Sequence, residues 1–305
     1  MIRTVLIACL LLAGCGNGGV PVATTASGAA SSPGAGGAAG TVGATGAEGV
    51  PRPDHIVVAM FENHGFNQVI GSASASYLNR LAGEGALLTD AHGITHPSQP
   101  DYIALFSGST HGVTSDSCPH DFSGTDNLGS QLVGAGLTFT GYSEGLPAPG
   151  FRGCTGGDRY ARKHSPWVNF TALPASVNLP FTEFPQDFAT LPTVSFVIPN
   201  LCDDMHDCSV SIGDAWLQAH LDQYVQWAMS HNSLLIVTWD EDEGSNPANG
   251  GGHIPALIVG GPVRPGARYG GTLDHYGMLR TIEAAYGLPA LGTAAQRTPV
   301  TGIWR

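Results

Sequence analysis

Five short apolar runs punctuate the chain: HIVVAMFEN (55–63), LTFTGYSE (137–144), VSFVIPN (194–200), LLIVTWDE (234–241) and IPALIVGGP (254–262). Their length and β-branched content predict buried strands. Two intervening segments carry a helical period instead. Residues 213–229 place Trp216, Leu217, Leu221, Tyr224 and Val225 on one face; residues 273–288 do the same with Leu279, Ile282 and Tyr286, and Gly287 suits the end of that helix. Strands alternating with helices predict an α/β fold with a mainly parallel central sheet flanked by helices. Ligands in such folds bind at the carboxyl ends of the strands. Several runs here deliver polar or acidic residues to that end: Glu62-Asn63, Asn200 and Asp240-Glu241. One shared site is therefore expected.

The first residues depart from this pattern. Arg3 is followed by an apolar stretch from Val5 to Leu12, too short for a lasting membrane span and of the size of a signal-peptide core. It ends in Leu12-Ala13-Gly14-Cys15, which resembles a bacterial lipobox. The resemblance implies cleavage after residue 14 and lipidation of Cys15; an ordinary signal peptide with an incidental cysteine is the alternative. Residues 15–53 are dominated by Gly, Ala, Ser, Thr and Val, have no aromatic side chain and read as a flexible tether. The folded part is expected over 54–305, in an exported protein anchored to a membrane on its periplasmic or cell-surface side.

Charge narrows the partners. The formal net charge is −12, which excludes the basic footprint of a nucleic-acid binder and docking on anionic lipid by charge alone. An acidic protein acting on phosphates needs positive charge in its site, most simply metal ions. Beyond Cys9 and Cys15 four cysteines remain, an even number that suggests two disulfides in an exported chain. Three pairings are open. Cys202 and Cys208 bracket a short DDMHD segment and invite a small ring, leaving Cys118 with Cys154.

The candidate chemistry lies at the strand ends and in one turn. In THPSQPDYIALFSG (95–108), Ser98 precedes a helix start marked by Pro100. The hydroxyl either caps that helix or is a nucleophile placed where the helix dipole favours an alkoxide and a bound phosphate. Asp240 and Glu241 arrive together at the end of a buried strand, where adjacent carboxylates repel unless solvated or bound to a divalent cation. Asp204 and His206, two residues apart, share a face if their segment is extended and then reach one metal or phosphate. His253 follows three glycines that permit close approach to a ligand. His92, His111, His120, His220 and His231 read as structural.

In their order, HIVVAMFENHGF, THPSQPDYIALFSG, YARKHSPWVNF, VSFVIPNLCDDMHD, GDAWL, LLIVTWDEDEG and HYGMLRTIEAAYGL resemble the bacterial phosphoesterase family of acid phosphatases and phosphatidylcholine-type phospholipases C. The resemblance implies an alkaline phosphatase-like fold and a metal-dependent acid phosphatase acting through a phosphoserine on Ser98. It implies one or two divalent metal ions held by Glu62, Asn63, Ser98, Asp240, Glu241 and His253. Asp204 and His206 match residues that contact the phosphoryl group or a second metal. Asp101, His164 and His275 fall in family motifs as candidate substrate-binding residues. Substrates would be phosphomonoesters, phospholipids and phosphoinositides among them. The alternatives are phospholipase C-type phosphodiester cleavage and a non-catalytic surface lipoprotein.

Overall fold

The computed structural model describes residues 46–246 and 250–305; the signal segment 1–14 and most of the tether 15–53 lie outside the described residues. Eight strands form the central sheet: β1 (His55–Phe61), β2 (Ala86–Leu88), β3 (Phe139–Ser143), β4 (Asn178–Pro180), β5 (Val194–Ile198), β6 (Ser233–Trp239), β7 (Ala256–Gly260) and β8 (Ala267–Tyr269). Their spatial order is β8-β2-β7-β6-β1-β5-β3-β4. Only β7 runs against its neighbours; the other pairings in this sheet are parallel. β1 sits centrally, Val57 facing Ser195 of β5 and Leu235 of β6. Its residues from Ile56 to Phe61 are all buried, as a continuous apolar run requires when both faces of a sheet are covered.

The five predicted strands are all present. β2, β4 and β8 have three residues each, too few for a hydrophobic period to be read. The run 254–262 divides: His253–Ile254 joins a small sheet with Ala91–His92, and the rest forms β7. The principal helices are α1 (Ser76–Glu84), α2 (Ser98–Ser107), α3 (Leu128–Gly134), α4 (Val210–Ser230) and α5 (His275–Tyr286). On α4 the predicted stripe of Trp216, Leu217, Leu221, Tyr224 and Val225 is buried, and α5 ends at Gly287 in the left-handed conformation (φ 65°). All ten residues of α2 are buried. Each apolar side chain so buried contributes about 1.5–3 kcal/mol, which fixes the helix that carries Ser98.

The folded part begins earlier than residue 54: Val50 is buried, and Arg52 donates to the Tyr286 carbonyl and lies over the Tyr286 ring. Polar flanks hide this anchoring from a composition-based reading. Both disulfides pair as anticipated, Cys118 with Cys154 and Cys202 with Cys208. Among the described residues no helix is long and apolar enough to cross a membrane.

Candidate active site

β6, β1 and β5 are adjacent and parallel, so the residues following each strand meet at one edge of the sheet. Glu62 leaves β1, Asp240 and Glu241 leave β6, and Asn200 through His206 leave β5. Asn63 takes a left-handed conformation (φ 63°), one that Asn tolerates better than most residues, and its backbone N–H donates to Asp240 Oδ1 at 3.0 Å. That bond locks the two strand ends together. Glu62, Asp240 and Glu241 are all buried.

Ser98 completes this group. It is the first residue of α2, and the cap position is Pro97, which offers no side-chain bond. The capping role considered for Ser98 is thus not realised. Its hydroxyl instead lies 3.0 Å from Glu62 Oε2, to which it donates, with Glu241 Oε1 a second acceptor at 3.4 Å. The turn ahead of it is set by Asp101, whose Oδ1 accepts from Ile94 N–H (2.6 Å) and Thr95 N–H (3.3 Å). His275 at the start of α5 bridges this turn to the sheet: Nδ1 lies 3.1 Å from Asp101 Oδ1, and Nε2 lies 2.9 Å from the Trp239 carbonyl. Both residues are buried. Asp101 and His275, the candidate substrate-binding residues, are thus both bonded into the buried network that carries the turn before Ser98.

His164 has a direct place. Its Nε2 lies 3.0 Å from Glu62 Oε1 and its Nδ1 3.1 Å from Asp204 Oδ2, with its ring stacked on Tyr102. Burial opposes a charge on this imidazole, but the Glu62 and Asp204 carboxylates together outweigh it and raise the pKa to about 9. Burial likewise works against an ionised Glu62, yet His164 holds it down at about 2. Asp204 is pushed up to about 6, by burial first and by Glu62 in part, although His164 counteracts this. Burial, reinforced by the charge of Glu62, lifts Asp240 well above the ordinary carboxylate range.

Asp204 and His206 meet through a tight turn rather than an extended segment. Met205 between them has φ 78°, and the His206 N–H donates to Asp204 Oδ1 at 2.8 Å. Ligand atoms of Glu62, His164 and His206 lie within 4.8 Å of one another. Of the expected metal set Glu62, Asn63, Ser98, Asp240, Glu241 and His253, only Glu62 belongs to this group, and its other two members are His164 and His206. His253 is placed apart from it. Its Nε2 lies 3.2 Å from the Thr89 carbonyl, and its ring stacks on Phe66 and His92. The glycines before it serve the loop that returns the chain to β7.

The residues fit a divalent cation on local grounds. Asp240 Oδ2 is buried without a hydrogen bond, close to the buried Glu62 carboxylate, an arrangement that costs free energy unless a cation offsets it. Carboxylate oxygens suit hard cations, and neighbouring imidazoles extend the range to borderline ones such as zinc.

Three residues escaped the sequence reading. His96 pairs through Nδ1 with Glu241 Oε2 and through Nε2 with Ser245. Asp116 accepts from the Gln99 N–H (3.0 Å) and pairs with Lys163 (2.7 Å), whose Nζ also lies 3.2 Å from His206 Nε2. Lys163 is the chain's single lysine, a signal that composition offered.

A phosphoesterase family model matches residues 72–289. The phosphatidylinositol-3-phosphatase of Mycobacterium tuberculosis is 48% identical over 84% of this chain and 84% of its own length. An acid phosphatase of Aspergillus fumigatus is 30% identical over 72% of this chain but only 53% of its own length, and the phosphate-repressible acid phosphatase of Penicillium chrysogenum is 30% identical over 78% and 60%. Among solved structures, a Vibrio parahaemolyticus protein of the alkaline phosphatase superfamily superposes with TM-score 0.59 at 15% identity, covering 84% of this chain and 72% of that one. Phosphonate monoester hydrolase of Agrobacterium radiobacter gives 0.53 at 13%, covering 83% and 79%. The fold is therefore alkaline phosphatase-like, and the chain belongs to the phosphoesterase family.

Proposed function

We propose that this protein is a phosphoric monoester hydrolase, an acid phosphatase that works through a phosphoserine on Ser98. The observation that carries the reading is the Ser98 hydroxyl, free of any capping bond and aimed into the buried carboxylates Glu62 and Glu241 at the ends of two adjacent strands. The names of its relatives support phosphate-ester hydrolysis.

Glu62, Asp240 and Glu241 would hold a divalent cation, with His164 completing the donor set. When bound, such an ion lowers the pKa of a nearby hydroxyl and offsets charge on a reacting phosphoryl group. The protein's own residues do the rest. Ser98 Oγ forms a bond to phosphorus as the bond to the leaving oxygen breaks, and its proton passes to the carboxylates that accept its hydrogen bond. His206, partly exposed at the mouth of the site, donates a proton to the leaving oxygen. Water then attacks the phosphoserine, releasing inorganic phosphate and restoring the Ser98 hydroxyl. Asp101 and His275 keep Ser98 in line throughout.

Mixing enzyme with a chromogenic aryl phosphate should give a burst of phenol stoichiometric with protein, abolished by chelation and restored by divalent metal. Ser98→Ala should lower turnover at least about thousandfold. Undiminished activity in that variant would identify a different nucleophile. The lipobox-like Cys15 supports a place on a membrane facing an oxidising compartment, and the two disulfides agree with such a compartment. Radiolabelled palmitate incorporation lost in Cys15→Ser is the corresponding test.

A further inference from the structure

The fate of the chain's single lysine bears on which phosphate esters the site accepts. In a protein of net charge −12, Lys163 is placed beside the acidic centre rather than on the outer surface. It directly precedes His164, which is clamped to Glu62. Asp116 holds it by a 2.7 Å ion pair while its other oxygen accepts from Gln99 N–H, the backbone donor immediately after Ser98. One carboxylate thus ties the ammonium group to the N-terminal turn of α2. The ammonium also reaches His206 Nε2 at 3.2 Å. Its side chain is 18% exposed, so it remains open to an incoming ligand. Asp116, at 31%, is more open still, so an anion can draw the lysine inward without leaving Asp116 buried and unpaired.

Resting on the reading of Ser98 as nucleophile, we propose that Lys163 binds a non-bridging phosphoryl oxygen and selects phosphomonoesters, with two anionic oxygens, over diesters, with one. A cation that can reach the phosphoryl group gains most from the additional charge of a monoester dianion. The compact ammonium acts as a point charge, so Arg at this position should restore charge but not placement.

The test compares wild type, Lys163→Met and Lys163→Arg, all metal-loaded, on p-nitrophenyl phosphate and bis-p-nitrophenyl phosphate. Loss of a charge-assisted bond predicts a fall of about tenfold to hundredfold in kcat/KM for the monoester, with the diester changed less than about threefold. Isothermal titration with inorganic phosphate, a readout independent of turnover, should show about tenfold or greater weakening in Lys163→Met and partial recovery in Lys163→Arg. Equal losses on both substrates with unchanged phosphate affinity would mean that Lys163 only holds His206, and would overturn the proposal. Undiminished monoester turnover would overturn it too. Failure of the underlying reading looks different: the wild type would then lack a burst, or Ser98→Ala would stay active.

Discussion

Asp101 shows how much of the site depends on a single buried carboxylate. One carboxylate oxygen gathers two backbone N–H groups and an imidazole. Asp101→Asn keeps the shape but removes the charge and presents an amide where donors converge. Disrupting such a buried network should cost about 3 kcal/mol, read by urea denaturation, with turnover reduced because the Ser98 turn loosens. Glu283 on α5 supplies a pH-dependent case far from the cluster. Burial raises its pKa to about 8, against the opposing bond from Leu291 N–H and the pull of Arg280. An acid whose folded pKa is raised keeps its proton in the native state after the unfolded chain has lost it. Stability therefore declines as pH rises from 4.5 to about 8, the window between the ordinary and the folded value. Glu283→Gln retains the carbonyl acceptor and removes this penalty. Thermal melts should show the variant gaining on wild type across that window and level with it below.

At the scale of elements, α2 is the decisive one. It is buried on every side, and it ends at Gly108 in the left-handed region (φ 72°). A Cβ there would lie 2.2 Å from the Leu291 carbonyl oxygen. Gly108→Ala combines that backbone collision with about 1–2 kcal/mol of left-handed strain, so chemical denaturation should register at least about 2 kcal/mol of destabilisation. The strands were legible because β1, β5 and β6 are fully covered and read as unbroken apolar runs. The short edge strands and the division of 254–262 between two sheets were not. Pairing partners for two- and three-residue strands come from distant segments, such as Ala91–His92 and Leu273–Asp274. Local period carries no information about them.

Across the whole molecule, two disulfides and one lysine stand out against the acidic composition. Cys118–Cys154 spans 36 positions and anchors the chain two residues after Asp116. Replacing both cysteines by Ser should cost about 2–4 kcal/mol, and Asp116 makes phosphate affinity a second readout of the same change. The sequence by itself determined the alternation of strands and helices, the carboxylates at the strand ends and the serine opening a buried helix. Those follow from periodicity and residue type, which are local properties. Only the tertiary structure decided which of these residues converge. It placed His164 between Glu62 and Asp204, set His253 against Phe66 and His92, bonded Asp101 to His275, and brought Lys163 to His206. Convergence depends on strand order and loop paths between residues far apart in the chain. A separation such as the 102 positions between Glu62 and His164 leaves no periodic trace.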